Sequence, residues 1–366
     1  MQKHSDLIEA VRRNCDISDA RYAGSFSICG LALRLRDLYK WENGLEPWVE
    51  KDPAEMLQWI DARENRWESL CTQQFLDLRL NGANHGPFDT PEVNAGLNPA
   101  NLYYGALYAQ RLKPTFFLAF IDGRLTAGGL PVLVLGDELA RDLLTTPALN
   151  LDGNLIVRKA AARLHLWDQI AYIKKSGRPA LEFALAHLGL TDCRPGTVGS
   201  NLSRLLAVQM DTYVYHEVGE VRDEIFDRDR WRSIIATHPQ TPVELLARAG
   251  KDLLADTHAS GPLRRMIRTR NKVGLALYAA FCDGLLRELF RELRPAFSAF
   301  VEKSNWDLIA EAVDSANRSG RRWAEMMMHY HAEGIRRGDA VWARGQIERR
   351  LNKHLESNQA HGRAIS

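Results

Sequence analysis

Apolar residues recur at helical spacing through most of the chain and at strand spacing in only a few places. "SDARYAGSFSICGLALRLRDLYKW" (18–41) predicts a helix with Ser18 as its N-cap. "KDPAEMLQWIDAREN" predicts another, with Asp52 as cap, Pro53 at the first helical position and Glu55 completing a capping-box pattern. The period then changes. In "FLDLRLNG" Leu76, Leu78 and Leu80 alternate with Asp77 and Arg79, which predicts a strand ending at the turn residues Asn81-Gly82, although a helix also accommodates this stretch. "LPVLVLGDELARDLL" and "GNLIVRKAAARLHLWDQIAYIKK" predict strand 130–135, helix 137–146, strand 154–158 and helix 159–175, a small βαβ-like element. Beyond "TDCRPGTVGSN" (191–201), the best linker, every segment predicts helix: Thr241-Pro242-Val243-Glu244 and Ser304-Asn305-Trp306-Asp307 are helix starts, and one long helix runs from 263 to 302 with a bend at Pro295.

The expected fold class is mainly α (α+β overall): an N-terminal α+β domain with a small sheet over 1–190, the linker 191–201, and an all-helical domain over 202–366. Residues 81–101 hold three glycines, three prolines and five asparagines, which predicts a long loop, with His85 and Asp89 on a lid.

Composition adds boundaries to this picture. A length of 366 residues suffices for two cores, and a formal net charge of +2 does not by itself demand a nucleic-acid or membrane partner. Five dispersed cysteines without a Cys-x-x-Cys pair suit reduced thiols. "MQKHSDLIEAVRRNCD" lacks a signal-peptide core, and "TFFLAFI" and "VGLALYAAFC" are too short for the ~20 residues of a membrane span. The expected setting is cytoplasmic, with no membrane partner.

Several familiar motifs fail on inspection. Gly136 stands alone after "LPVLVL", so the dinucleotide fingerprint is absent; Gly250-Lys251 lacks the following Ser/Thr of a phosphate loop; no G-x-S-x-G elbow occurs. "YHEVGE" misses the zinc-protease pattern by one residue, since Glu220 stands where a second histidine is needed. On a helical wheel Val214, Val218, Val221 and Ile225 form the apolar face, and His216, Glu220 and Asp223 form a solvated set on the opposite side.

Glu217 and Glu224 instead border the apolar face. On "TPVELLARAGKDLLADTH" Leu246, Ala249 and Leu253 mark the core side, and Asp252 and Asp256 its flank. Carboxylates at such borders either pair with basic groups across a helix seam, the more ordinary outcome, or converge into a metal site of the bundle type. In "AEMMMHYHAEG" (324–334), Trp323, Met327, Tyr330 and Gly334 share one face, Glu325 and His329 point the other way, and only His331 turns inward. The candidate site is therefore Glu217, Asp252, Asp256 and His331. Its hard, oxygen-rich donor set favours a divalent metal such as Fe, Mn or Mg.

A rival reading rests on "GPLRRMIRTRNK". Arg264, Arg265, Arg268, Arg270 and Lys272 would form an anion-binding surface for nucleic acid or an acidic partner, and residues 264–366 hold 19 Lys/Arg against 12 Asp/Glu. Interleaved glutamates and the lack of a recognised nucleic-acid module favour a solvated helix, and docking of this stretch against acids of the chain's own N-terminal domain is a further option. A third reading is a non-catalytic scaffold, an assembly subunit or homo-oligomer, whose nine tryptophans need burial.

"LKPTFFLAF", "RLHLWDQIAYIKKSGRPALEFAL" and "ELLARAGKDLLADT" together resemble a bacterial family of unknown function, over most of the chain. The resemblance implies a bacterial cytosolic protein and transfers no activity or site residue. The expected function is thus a ligand- or metal-binding helical protein with a carboxylate/His site, enzymatic or not, with nucleic-acid binding and scaffolding as alternatives.

Overall fold

The computed structural model describes residues 4–225 and 228–364. The fold is mainly α, with its sheets in the N-terminal region and helices alone after about residue 159. It divides into two compact units: Met1–Tyr172 with Cys193–Met210, and Ile173–Asp192 with Asp211–Ser366.

In the first unit α1 (Ser5–Tyr22), α2 (Ile28–Glu42) and α3 (Pro53–Leu70) precede a hairpin, β1 (Leu78–Leu80) and β2 (Ala83–His85), and α4 (Thr90–Leu97). A five-stranded sheet follows: β3 (Leu102–Tyr108), β4 (Pro114–Ala127), β5 (Leu130–Arg141), β6 (Ala148–Leu151) and β7 (Asn154–Arg158), in the spatial order β3-β4-β5-β7-β6. Only β5 and β7 pair in parallel. α5 (Lys159–Ala171) and the short α7 (Pro195–Ser200) complete this unit, the latter within the stretch read as a linker.

Alternation along β4 sends its side chains to two cores. Phe116 and Leu118 pack with Leu7, Val11 and Cys15 of α1, whereas Phe117, Ala119 and Ile121 pack with Leu135, Leu149 and Ile156. Ile17 of α1 meets Leu35, Leu38, Trp67 and Leu70 from α2 and α3. Gly105 on β3 leaves the room that the Phe117 ring fills.

Local expectations meet tertiary structure here. Asp52 caps α3 by accepting from the Ala54 amide, and strand 154–158 forms as predicted. Ser18 is not a cap: it lies inside α1, and its hydroxyl donates to the Pro114 carbonyl. The expected helix 137–146 is a further length of β5 and the turn after it. Glu138 and Arg141 resemble an intrahelical pair in sequence, but their backbone completes the ladder with β4, and Glu138 joins Arg158 across the sheet at 2.6 Å. Strand pairing overrides local propensity. The expected loop 81–101 is ordered as β2 and α4, with Asn94 bonded to both backbone groups of Tyr104.

The second unit contains α6 (Arg178–His187) and the part of α8 (Leu202–Arg222) from Asp211 onward. It continues through α9 (Arg228–Thr237), α10 (Pro242–Thr257), α11 (Pro262–Thr269), α12 (Lys272–Phe281), α13 (Gly284–Leu289), α14 (Leu293–Lys303), α15 (Trp306–Arg337) and α16 (Ala340–Ala364). The expected continuous helix 263–302 is thus four helices. Arg270 and Gly284 have positive φ and break it, whereas Pro295 sits in the first turn of α14, where a missing N–H is harmless. Asn305 caps α15 by accepting from Asp307 N, and Gly338, with positive φ, ends it.

Candidate functional site

The sequence "YHEVGE" lies on α8, and Gly219 is its pivotal residue. A Cβ at position 219 would overlap the Ala255 carbonyl oxygen, so glycine lets α8 and α10 approach backbone to backbone. This crossing brings His216, Glu217 and Glu220 against Lys251, Asp252 and Asp256.

The centre of the cluster is His216. Its Nδ1 is 2.8 Å from Asp256 Oδ1, and the second Asp256 oxygen accepts from the Tyr278 hydroxyl of α12 at 2.7 Å. The opposite ring nitrogen, Nε2, lies 3.8 Å from Asp252 Oδ1, too far for a hydrogen bond. The Asp256 carboxylate is buried, while the Asp252 side chain is 46% exposed. Beside them Lys251 donates to Glu220 and lies over the Trp231 ring at 5.6 Å.

Electrostatics tune these groups in one direction. Burial alone would lower the His216 pKa, but Asp256, then Asp252 and Glu217, hold it well above the ordinary imidazole value. Burial, aided by Glu220, pushes the Glu217 carboxyl up to about 8. Partial desolvation, with Asp256 and Glu220 nearby, pushes Asp252 up to about 6 against the attraction of His216. These shifts favour the charged form of His216 and the neutral form of Glu217 beside the accessible Asp252. Perturbed groups of this kind mark functional sites more often than ordinary surface.

Three of the four residues expected to meet, Glu217, Asp252 and Asp256, do lie together. His331 does not join them. It is buried on the inward side of α15, as its phase predicts, but its Nε2 lies 2.9 Å from Ser233 Oγ and its ring 5.8 Å from that of His238, on the side of α9. His216, expected on the solvated face, takes its place. The wheel identified one apolar face, yet Val221 on that face is 40% exposed, while a second helix covers the polar face. Tyr278 was not anticipated. The available signal was Gly219 itself, since a glycine inside a helix pattern often marks a close approach. Among the described residues no group of three or more His, Cys, Asp or Glu is placed to hold a metal ion.

The remaining candidates are engaged locally. Arg264 pairs with Asp314, Arg265 with Asp211 at 2.9 Å and with the Tyr215 ring. Arg268 donates to the Ala259 carbonyl, Arg270 lies over Trp306, and Lys272 Nζ is 3.4 Å from Ser304 Oγ. The acids that Arg264 and Arg265 meet thus belong to the helical unit itself and not to the N-terminal domain, where docking was expected. In the first unit His85 lies on β2 of the hairpin, and Asp89 accepts from the Gly86 amide at 2.7 Å.

The fold and the site define a mainly helical protein with two family domains, a small mixed sheet in the first and an acid-flanked histidine in the second. Residues 6–158 match the N-terminal domain, and residues 163–350 the C-terminal domain, of the family of unknown function DUF6866, and the chain belongs to that family. No curated protein and no solved structure matches it.

Proposed function

We propose that the helical unit binds a small polar ligand at His216, Asp252 and Asp256, and that proton exchange with this ligand is its chemistry. One observation carries the reading: Asp256 holds one ring nitrogen of His216, while the other faces a half-exposed carboxylate without bonding to it. An Nε2–H with no acceptor at hydrogen-bond distance among the described residues and an accessible Asp252 together suit a ligand that offers an acceptor to the first and an ammonium or other donor to the second. Glu217, whose carboxyl burial pushes up to about 8, would supply a proton reservoir beside them. Divalent metal binding at His216 would need the ring to lose its proton, which the neighbouring carboxylates oppose.

The setting that accompanies this proposal is a bacterial cytoplasm. All five cysteines are free, three of them exposed, as in a reducing compartment. No described helix is long and apolar enough to cross a membrane.

The test is NMR of the histidine side chains during titration with ethanolamine, which carries an ammonium and a hydroxyl, and separately with Mn²⁺. The proposal expects saturable ethanolamine shifts at His216 that Asp252→Asn abolishes. Unchanged His216 resonances would overturn it, and saturable Mn²⁺ broadening there in its place would restore the metal reading.

A further inference from the structure

The second unit also contains a cavity of about 660 Å³ that the proposed site does not use. Its walls come from α6, the end of α12, α13 and α14. Phe183, Phe290, Phe297, Pro179 and Ala279 make most of it apolar. The packing that builds it is tight: a Cβ at Gly177, just before α6, would overlap the Ala280 carbonyl of α12. The volume lies within the range of small-molecule sites, roughly 300–1,000 Å³.

Charge is distributed unevenly around the opening. Arg287 is paired with Glu288 at 3.1 Å. Arg291 and Arg294 also line the cavity, both exposed, and neither makes a hydrogen bond or ion pair with a described residue. They flank the first turn of α14, whose amides add positive potential. The unpaired acid of the lining, Glu302, lies eight residues beyond Arg294 on the same helix, about 12 Å along the axis. One end of the cavity mouth is therefore cationic, and the space behind it is largely aromatic and apolar. Cys282 fits this description, since burial pushes its thiol up to about 12, which keeps it neutral as a wall residue.

We infer that this cavity binds a single-chain amphipathic anion, its alkyl or aryl body among Phe183, Phe290 and Phe297 and its carboxylate or phosphate at Arg291 and Arg294. The apolar walls supply affinity through burial, and the two unpaired guanidiniums select the sign of the head group. The inference is independent of the His216 site, whose residues do not line the cavity.

Calorimetric titration of the full chain with dodecanoate, dodecyl phosphate and dodecyltrimethylammonium, below their micelle concentrations, tests it. Saturable binding of an anion, about tenfold or more tighter than the cation, is expected from two charge-assisted contacts. Which anion binds more tightly assigns the head group. Arg291→Glu/Arg294→Glu should invert the preference, and Ala279→Phe should abolish binding of all three. Asp252→Asn should leave it unchanged, which separates this test from that of the polar site. Equal affinity for anion and cation, no binding by wild type, or binding that survives Ala279→Phe in a folded variant would overturn the inference.

Discussion

Gly219 of α8 lies directly against the backbone carbonyl of Ala255 on α10. The neighbouring turns are thereby locked in register, and His216 meets Asp256 at 2.8 Å. Gly219→Ala would force the helices apart, at a cost of about 1–3 kcal/mol, and would weaken the His216–Asp256 bond. Urea unfolding should show the destabilisation, and NMR titration should show the His216 pKa falling towards its ordinary value. Full stability with an unchanged His216 pKa would contradict the role assigned to this glycine.

Glu217 gives the fold a specific pH dependence. The folded chain holds this proton up to about pH 8, whereas the unfolded chain releases it near the ordinary value of 4.5. The native state thus binds the extra proton, and its contribution is full below pH 4.5 and lost as pH rises to about 8. Asp252, raised to about 6, and His216, also raised, act in the same direction. Glu217→Gln should flatten this decline and stabilise the protein at pH 8 by about 1 kcal/mol or more. Urea midpoints between pH 5 and 8.5 measure it; parallel curves for the two proteins would show that the carboxyl is not so perturbed.

His238 contributes on the acid side. Burial, with His331 adjacent, pushes its pKa down to about 4. The folded chain therefore resists a proton that the unfolded chain accepts below about pH 6.5, so this contribution is present above that pH and lost as pH falls towards 4. The buried Nε2 of His238 has no hydrogen-bond partner among the described residues, so His238→Leu removes no bond at that atom. The variant should lose less stability than wild type between pH 6.5 and 4.5 in the same assay.

In the first unit Lys113 lies 3.0 Å from both Asp19 and Asp142, and all three are buried. Lys113→Met would leave two facing carboxylates without a cation, a loss of about 3–5 kcal/mol. A second change, Asp142→Asn, should recover part of it. A chemical-denaturation double-mutant cycle gives both values, and additive effects would show that the three groups are not coupled.

Much of the architecture followed from local pattern. Asp52 acts as a cap because a short polar side chain satisfies the free amides of a helix start whatever surrounds it, whereas the start read at Ser304 is capped one residue on, by Asn305. The inward phase of Met327 and His331 and the outward phase of Glu325 and His329 follow from helical geometry alone. Partners were a different matter. The wheel showed which face of α8 was polar, and a polar face usually means water; here α10 covers it, and a histidine read as solvated became the centre of the site. The same limit turned residues 137–141 into strand, because ladder bonds to β4 outweigh a helix-like spacing.

The sequence by itself determined the helix start at Asp52, the inward phase of Met327 and His331 and that the sheets belong to the N-terminal region, since these depend on neighbours a few residues apart. Tertiary structure alone decided that His216 rather than His331 meets the acids, that Arg264 and Arg265 meet acids of their own unit, and that an apolar cavity opens beside two unpaired arginines. Those outcomes depend on which helices cross and how closely, and that is set by contacts dozens of residues distant in the chain.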